Sequence, residues 1–302
     1  MKPAPFALIT AGSVEEALAV LADETGDVKP LAGGQSLVPL LNFRLARPEV
    51  LVDLNHLPEL SYIRTVGDGI TIGAMCRQRS VERSESVREV APLLGEAVRY
   101  VAHPPIRNRG TVGGSLAHAD PAAELCTVML ALNATVVVRR EGGQREISVH
   151  DLFVAPLTTS LRSDELLVEI KVPVQPRGGW AFEEVSRRRG DFAIVGVAVV
   201  MALDDEGMVG EARLAYASMG PTPMRAHQAE VALRGQEPRG EVFAEVARTA
   251  VSELEARDDL HATGKYRAHV AEALTYRALT TALDRAKGGR VEAASASDGI
   301  PS

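Results

Sequence analysis

Hydrophobic positions along this chain switch repeatedly between the two-residue period of a strand and the three-to-four-residue period of a helix. Ser13 and Glu16 form a capping box, and the apolar spacing behind it predicts a helix over 14–24. Short apolar runs predict strands over 29–32, 50–53, 69–72, 134–139 and 166–172. Val87, Val90, Ala91, Leu94, Ala97, Val98 and Val101 share one helical face, which predicts a single helix over 87–101. No period is visible over 103–119. Asp120 followed by Pro121 has the form of an N-cap with proline at the first helical position, opening a helix to about 132. Proline and glycine cluster over 173–179 and mark a domain boundary. Beyond it the pattern predicts three antiparallel strands, 180–185, 194–203 and 212–218, then helices over 225–234, 242–256 and 265–285. The longest apolar run, 192–203, falls well short of the roughly 20 residues that span a bilayer. It reads as a buried strand.

A chain of 302 residues is long enough for two domains at roughly 100–200 residues each. Its 46% hydrophobic and 24% charged residues exclude wholesale disorder and allow a sizeable core. A formal net charge of −7 and 4% aromatics argue against nucleic acid, anionic membranes and base stacking as its business. The N-terminal stretch lacks the layout of a signal peptide. Cys76 and Cys126 stand far apart, with no Cys-x-x-C, zinc spacing or disulfide framework. A reduced, cytoplasmic protein is expected, with no membrane insertion, no metal and no iron–sulfur cluster of its own. The small, polar, glycine-rich segment 286–302 is expected to be a disordered tail.

Two glycine-rich segments carry the candidate chemistry. Ala32, Gly33, Gly34, Gln35 and Ser36 follow a predicted strand, and Thr111, Val112, Gly113, Gly114 and Ser115 lie in the aperiodic stretch. Paired glycines let backbone N–H groups approach a ligand without interference from Cβ. Successive N–H groups in such turns make anion-binding concavities. Ser36, Thr111 and Ser115 add hydroxyl donors. Each segment alone is also ordinary turn chemistry; the two together point to a pyrophosphate held from both sides. There is no G-x-G-x-x-G after a strand, no Walker A sequence, no G-x-S-x-G and no His-Glu-x-x-His, so a dinucleotide here is not bound in Rossmann fashion.

LAGGQSLVPLL at 31–41 and HPPIRNRGTVGGSLAHADPAAEL at 103–125 resemble the two FAD-binding signatures of the medium, flavin subunit of the molybdenum hydroxylases. That family includes carbon monoxide dehydrogenase and xanthine dehydrogenase. RRRGDFAIVGVAV at 187–199 is similar to the start of the family's C-terminal flavoprotein domain, and the likeness covers the chain to about 285. The resemblance implies an α+β FAD-binding domain of the vanillyl-alcohol-oxidase type over 1–176. Its subdomains, about 1–55 and 56–176, would hold the flavin between them, and a small α+β domain would follow over 177–285. It implies that Ala32, Gly33, Gly34, Gln35, Ser36, Thr111, Gly113, Gly114 and Ser115 hold the pyrophosphate. By the same likeness Glu124 contacts the adenosine ribose, Leu161 lies beside the adenine through its backbone, and Phe192 lies near the isoalloxazine ring. No catalytic acid–base residue is implied, since electron transfer needs none. The implied partners are a small subunit with two [2Fe–2S] clusters and a large subunit with a molybdenum–pterin cofactor, in a dimer of heterotrimers. Electrons would reach the FAD from the clusters and leave to a terminal acceptor.

Plainer roles stand beside these. Glu124 is also a first-turn carboxylate favoured by the helix dipole, Asp120 an N-cap, and Phe192 a core residue. Arg187, Arg188 and Arg189 read as a solvated charge run, as positive charge near an anionic flavin, or as a docking surface. His103 and His118 flank the second segment and receive no catalytic role. Glu183 and Glu184 stand where the family often has a lysine, so Arg187 or Arg188 substitutes or that contact is absent. Cys126 stands where proline is common and is expected to be a buried thiol. Gln35 stands where the carbon monoxide enzymes often have histidine, which points to an N-heterocycle, aldehyde or other carbon substrate for the complex. Two other functions stay open: a stand-alone FAD-dependent oxidase or dehydrogenase, which needs its own pocket and base, and a scaffold subunit with a degenerate site, for which Glu183 and Glu184 are the support.

Overall fold

Ala7–Thr10, Val50–Asp53 and Val28–Leu31 lie side by side, in that order, as a parallel sheet. Parallel neighbours require crossovers, and the helices Val14–Leu21 and Leu37–Asn42 lie in those connections. The first of these starts at the predicted box: the Ser13 hydroxyl accepts from the Glu16 N–H at 3.1 Å, and the Glu16 carboxylate accepts from the Gly12 N–H at 2.7 Å. The protein's structure, a computed structural model, describes residues 2–23 and 26–297, so the expected extension of this helix to 24 lies outside the described residues.

A five-stranded antiparallel sheet follows, in the order Ile63–Val66, Gly69–Gly73, Leu166–Val172, Thr135–Arg140, Gly143–Ser148. Both faces of its centre are covered. Val137, Leu166 and Val168 pack with Val14, Leu18 and Leu21, while Ile72, Val136, Val138 and Ile170 pack with the helices on the opposite side. The single helix expected over 87–101 is two, Glu85–Val90 and Pro92–Ala97. Pro92 has no N–H to continue the first but suits the opening position of the second. Asp120 caps a turn rather than a helix: its carboxylate accepts from the Ala122 N–H at 2.9 Å, and the helix begins only at Glu124 and runs to Ala131. Cys126 and Cys76 are buried free thiols, and burial pushes Cys76 up to about 11.

The second domain's sheet has four antiparallel strands, not three: Gly179–Ser186, Ala193–Leu203, Val209–Ala217 and Met224–Arg225. The fourth pairs through Met224 and Arg225 alone, too short to leave a period in the sequence. The long apolar run is now explained. On Ala193–Leu203, Val195, Val197, Val199 and Met201 face a helical layer built from His227–Leu233, Gly240–Glu253 and Gly264–Ser297. Ala198 and Val200 join Phe182 and Ala215 in the first domain's core. A strand covered on both sides has no polar face to alternate with.

The helix Gly264–Ser297 passes through Ala286, where the disordered tail was expected to start. Ala286 is itself buried, and no proline interrupts 286–297, so the helix continues; 298–302 lie outside the described residues. Among the described residues no helix is long and apolar enough to cross a membrane. The seam between the domains is fastened at Glu96. Its carboxylate accepts from the Trp180 indole at 3.1 Å and from Arg285 at 2.6 Å, and Arg285 also donates to the Trp180 carbonyl at 2.8 Å.

Candidate functional site

The two glycine-rich segments come together where the turn after Val28–Leu31 meets the backbone just ahead of 111–115. A Cβ on Gly33 would collide with the Arg109 carbonyl and stand 2.9 Å from Gly110 Cα, so backbone lies directly on backbone there. A Cβ on Gly114 would stand 3.5 Å from that of Ala32 and 2.6 Å from the Thr111 hydroxyl. Gly34 has φ +72°, a left-handed conformation that glycine adopts without strain. Gly113 lies against Ala74, with only 2.8 Å between a would-be Cβ and Ala74 Cα.

The segments differ in what they offer a ligand. Gly33, Gly34, Gln35 and Ser36 donate no backbone N–H to any acceptor among the described residues. The Gln35 amide donates to the Gly33 carbonyl at 2.8 Å and fixes the turn. The second segment proves to be the start of a helix, Val112–His118, hidden from sequence periodicity by its glycines. Its N–H groups are already used. Val112 donates to Cys76 O at 3.0 Å, Gly113 to Ala74 O at 2.9 Å, and Gly114 to the Thr111 hydroxyl at 3.1 Å. Its contribution is therefore shape and the half-buried Ser115, with the donor-rich turn facing it from the first segment. A row of uncommitted N–H groups beside a surface kept free of Cβ atoms fits a pyrophosphate.

Arg77 and Asn55 belong to this site and carried no sequence signal. Arg77 donates to Arg109 O at 2.5 Å and to Asn55 Oδ1 at 2.7 Å; Asn55 Nδ2 donates to Ala32 O at 3.1 Å. The other predicted residues surround the pair of segments unevenly. Leu161 is half-buried against the first domain's core, a few residues after Leu157, whose N–H donates at 3.1 Å to Ala119 O at the end of the Val112–His118 helix. Glu124 lies in the adjoining helix, where Cys126 Sγ reaches Ser115 O at 3.5 Å. Phe192 is 64% exposed, which removes its reading as a core residue, and nothing ties it directly to either glycine segment.

Glu124 is 6% exposed, and no other side chain among the described residues hydrogen-bonds its carboxyl. Burial, then the charges of Glu184 and Asp120, push it up to about 8. Burial likewise pushes Glu184 up to about 7, and its Oε2 has no hydrogen-bond partner. Strand alternation separates the two glutamates that stand in place of a lysine: Glu183 pairs with Arg277 at 2.9 Å, while Glu184 shares the face of Phe182. Arg187 pairs loosely with Asp191 at 3.9 Å in an exposed loop. Gly190 in that loop rests on Ala102 and His103.

Raised carboxyl values carry a definite pH sign. Unfolded, Glu124 and Glu184 titrate near 4.5; folded, they hold their protons to about 8 and about 7. Their contribution to stability is complete below 4.5 and is lost as pH rises towards those folded values. We expect each to cost the FAD-free chain about 1 kcal/mol per pH unit across its interval. Denaturant midpoints at about pH 5 and about pH 8 check this; Glu124→Gln should flatten its share of the slope, and an unchanged slope would show that Glu124 is ionised when buried.

Residues 4–175 match the family described as "FAD binding domain in molybdopterin dehydrogenase", and residues 180–282 match "CO dehydrogenase flavoprotein C-terminal domain". The chain is 45% identical to the 6-hydroxypseudooxynicotine dehydrogenase complex subunit alpha of Paenarthrobacter nicotinovorans, over 95% of this chain and 97% of that one. It is 43% identical to caffeine dehydrogenase subunit beta of a Pseudomonas species, over 94% and 97%. A chain in the carbon monoxide dehydrogenase of Hydrogenophaga pseudoflava superposes with a TM-score of 0.91 at 38% identity, covering 95% of this chain and 100% of that one.

Proposed function

Because the chain belongs to the FAD-binding medium subunits of the molybdenum hydroxylases, we propose that it is the electron-transfer subunit of such a complex. Its partners are a large molybdenum–pterin subunit and a small subunit carrying [2Fe–2S] clusters, in a dimer of heterotrimers. The observation that carries the reading is the meeting of the two glycine segments, with the N–H groups of 33–36 uncommitted. FAD, when bound, supplies one- and two-electron redox chemistry.

The chain's own residues bind and orient. Gly33, Gly34, Gln35 and Ser36 would donate to the pyrophosphate from one side, with Ala32 and Gly33 placed by Asn55 and the Arg109 backbone. Thr111, Gly113, Gly114 and Ser115 would line the other side. Glu124 would accept from the ribose, Leu161 would lie along the adenine, and the exposed Phe192 would meet the ring. The architecture we assign is of the vanillyl-alcohol-oxidase type. The parallel sheet within 7–53 and the antiparallel sheet within 63–172 support subdomains of about 1–55 and 56–176, and the sheet that opens at Gly179 supports a domain over 177–285. Two buried free thiols support a reducing, cytoplasmic setting. Gln35 and the alkaloid substrates named for two relatives favour an organic substrate for the complex over carbon monoxide.

The test is a visible absorption spectrum of the purified chain before and after FAD is added and the excess removed. A flavin band released by denaturation is the expected result. A chain that stays colourless, alone and with its partner subunits, would remove the reading. Above about pH 8, where Glu124 is ionised, Glu124→Gln should weaken FAD binding by about 1–3 kcal/mol, the size of a charge-assisted hydrogen bond. An unchanged dissociation constant would leave Glu124 with only a place in the core.

A further inference from the structure

We propose that Arg77, working through Asn55, is the positioning residue that sets the gap between the two glycine segments. This rests on the pyrophosphate reading above. The segments are far apart in sequence: the second is a helix start anchored on Ala74 O and Cys76 O, while the first is a turn whose backbone N–H groups at 33–36 are uncommitted. What joins them is one strut. Arg77 takes Arg109 O, just ahead of the second segment, and Asn55 Oδ1; Asn55 takes Ala32 O, at the head of the first. Asp53 Oδ1 accepts from Asn55 Nδ2 at 2.5 Å and from Asn55 N at 2.9 Å, which fixes the amide's orientation. The Arg77 backbone pairs with Thr111 as an isolated antiparallel bridge, so the same residue holds the second segment at two points.

Geometry explains why arginine stands here. The two acceptors lie on different residues, and a planar guanidinium with a fixed fork of donors reaches both at once; a lysine ammonium is a single point. The carbonyl that Arg77 holds, Arg109 O, is also the one that leaves no room for a Cβ on Gly33. If Arg109 O moved, Gly33 and its uncommitted N–H would move with it. The strut thus ties the loose first turn to the anchored helix start and gives the cradle a fixed width. Arg77 is half-buried beside the charge of Arg109, and burial followed by that charge lowers its proton affinity. An anion between the segments would relieve this positive excess, which the charge of Asp53 already offsets in part.

The test is a double-mutant cycle on the full chain, with FAD and ADP as probes and thermal midpoints measured alongside. Arg77→Met and Asn55→Ala should each weaken both probes by about 10–100-fold, and by the same factor for each probe, because both share the pyrophosphate. The double variant should be no weaker than either single one, since the strut fails as a unit. At saturating FAD the flavin spectrum should match that of the parent chain, because the ring is not touched. Arg77→Lys should bind as weakly as Arg77→Met, which separates the fork from the charge. Additive losses, losses that follow the thermal midpoint, or full binding by Arg77→Lys would each overturn the strut while leaving the site. A parent chain that binds neither FAD nor ADP would overturn the site and the strut together.

Discussion

Gly114→Val should give a folded protein that retains no FAD. The Gly114 Cβ position lies 2.6 Å from the Thr111 hydroxyl and 3.5 Å from Ala32 Cβ. Valine's two methyl groups would go into the gap between the segments. They would also evict the Thr111 hydroxyl from its bond to the residue 114 N–H, at a cost of about 1 kcal/mol to the helix start. That loss is tolerable for the fold. The larger loss is in binding, where displacing the pyrophosphate forfeits at least two charge-assisted hydrogen bonds of about 1.5–3 kcal/mol each, or roughly 100-fold and more in affinity. The ratio of flavin to protein after gel filtration measures it. Full flavin content would take the second segment out of the site.

Gly179→Ala should be the most damaging single methyl group in the second domain. A Cβ there would collide with the Ala282 carbonyl oxygen and stand 2.9 Å from Ala282 Cα. Both are helix backbone, so no side chain can swing aside, and the whole helix must lift off the sheet. Lifting it also draws Arg285 away from Glu96 and Trp180. Overpacking in a dense core costs about 1–3 kcal/mol, and a rigid backbone neighbour puts this case at or above the top of that range. Gly143→Ala is the control: it sits in a strand whose nearest neighbour, an arginine side chain, is 3.8 Å from the added carbon. Denaturant midpoints should separate the two variants clearly, and equal midpoints would mean that the helix does not rest on Gly179.

The sequence made the buried strands legible because their chemistry is local. Val50–Asp53 and Leu166–Val172 lie where their apolar runs place them, and the uninterrupted run through Ala193–Leu203 marks a strand covered on both faces. Helix starts rich in glycine were invisible, since glycine erases the apolar period that helices are read from; Thr111 as a cap was the only trace. Pro92 was a readable break that a strong apolar stripe concealed. Glu183 and Glu184 were read as one departure, although strand alternation alone sends them to opposite faces, one to an ion pair and one to the seam. The glycine segments could be found by type and spacing, and Glu124 only through the family resemblance. Arg77 and Asn55 could not, because their role is to reach main-chain carbonyls, and any residue can supply a carbonyl.

The clasp at Glu96 imposes an order on the protein's making. Glu96 and Trp180 leave the ribosome well ahead of Arg285, which fastens them to the helix on the second sheet. Residues 32–36 and 111–115 are by then already out, with every strand that supports them. Domains fold as units during synthesis, earlier ones first. The two glycine segments therefore meet while the seam is still open, and the clasp between the domains is the last lock to close.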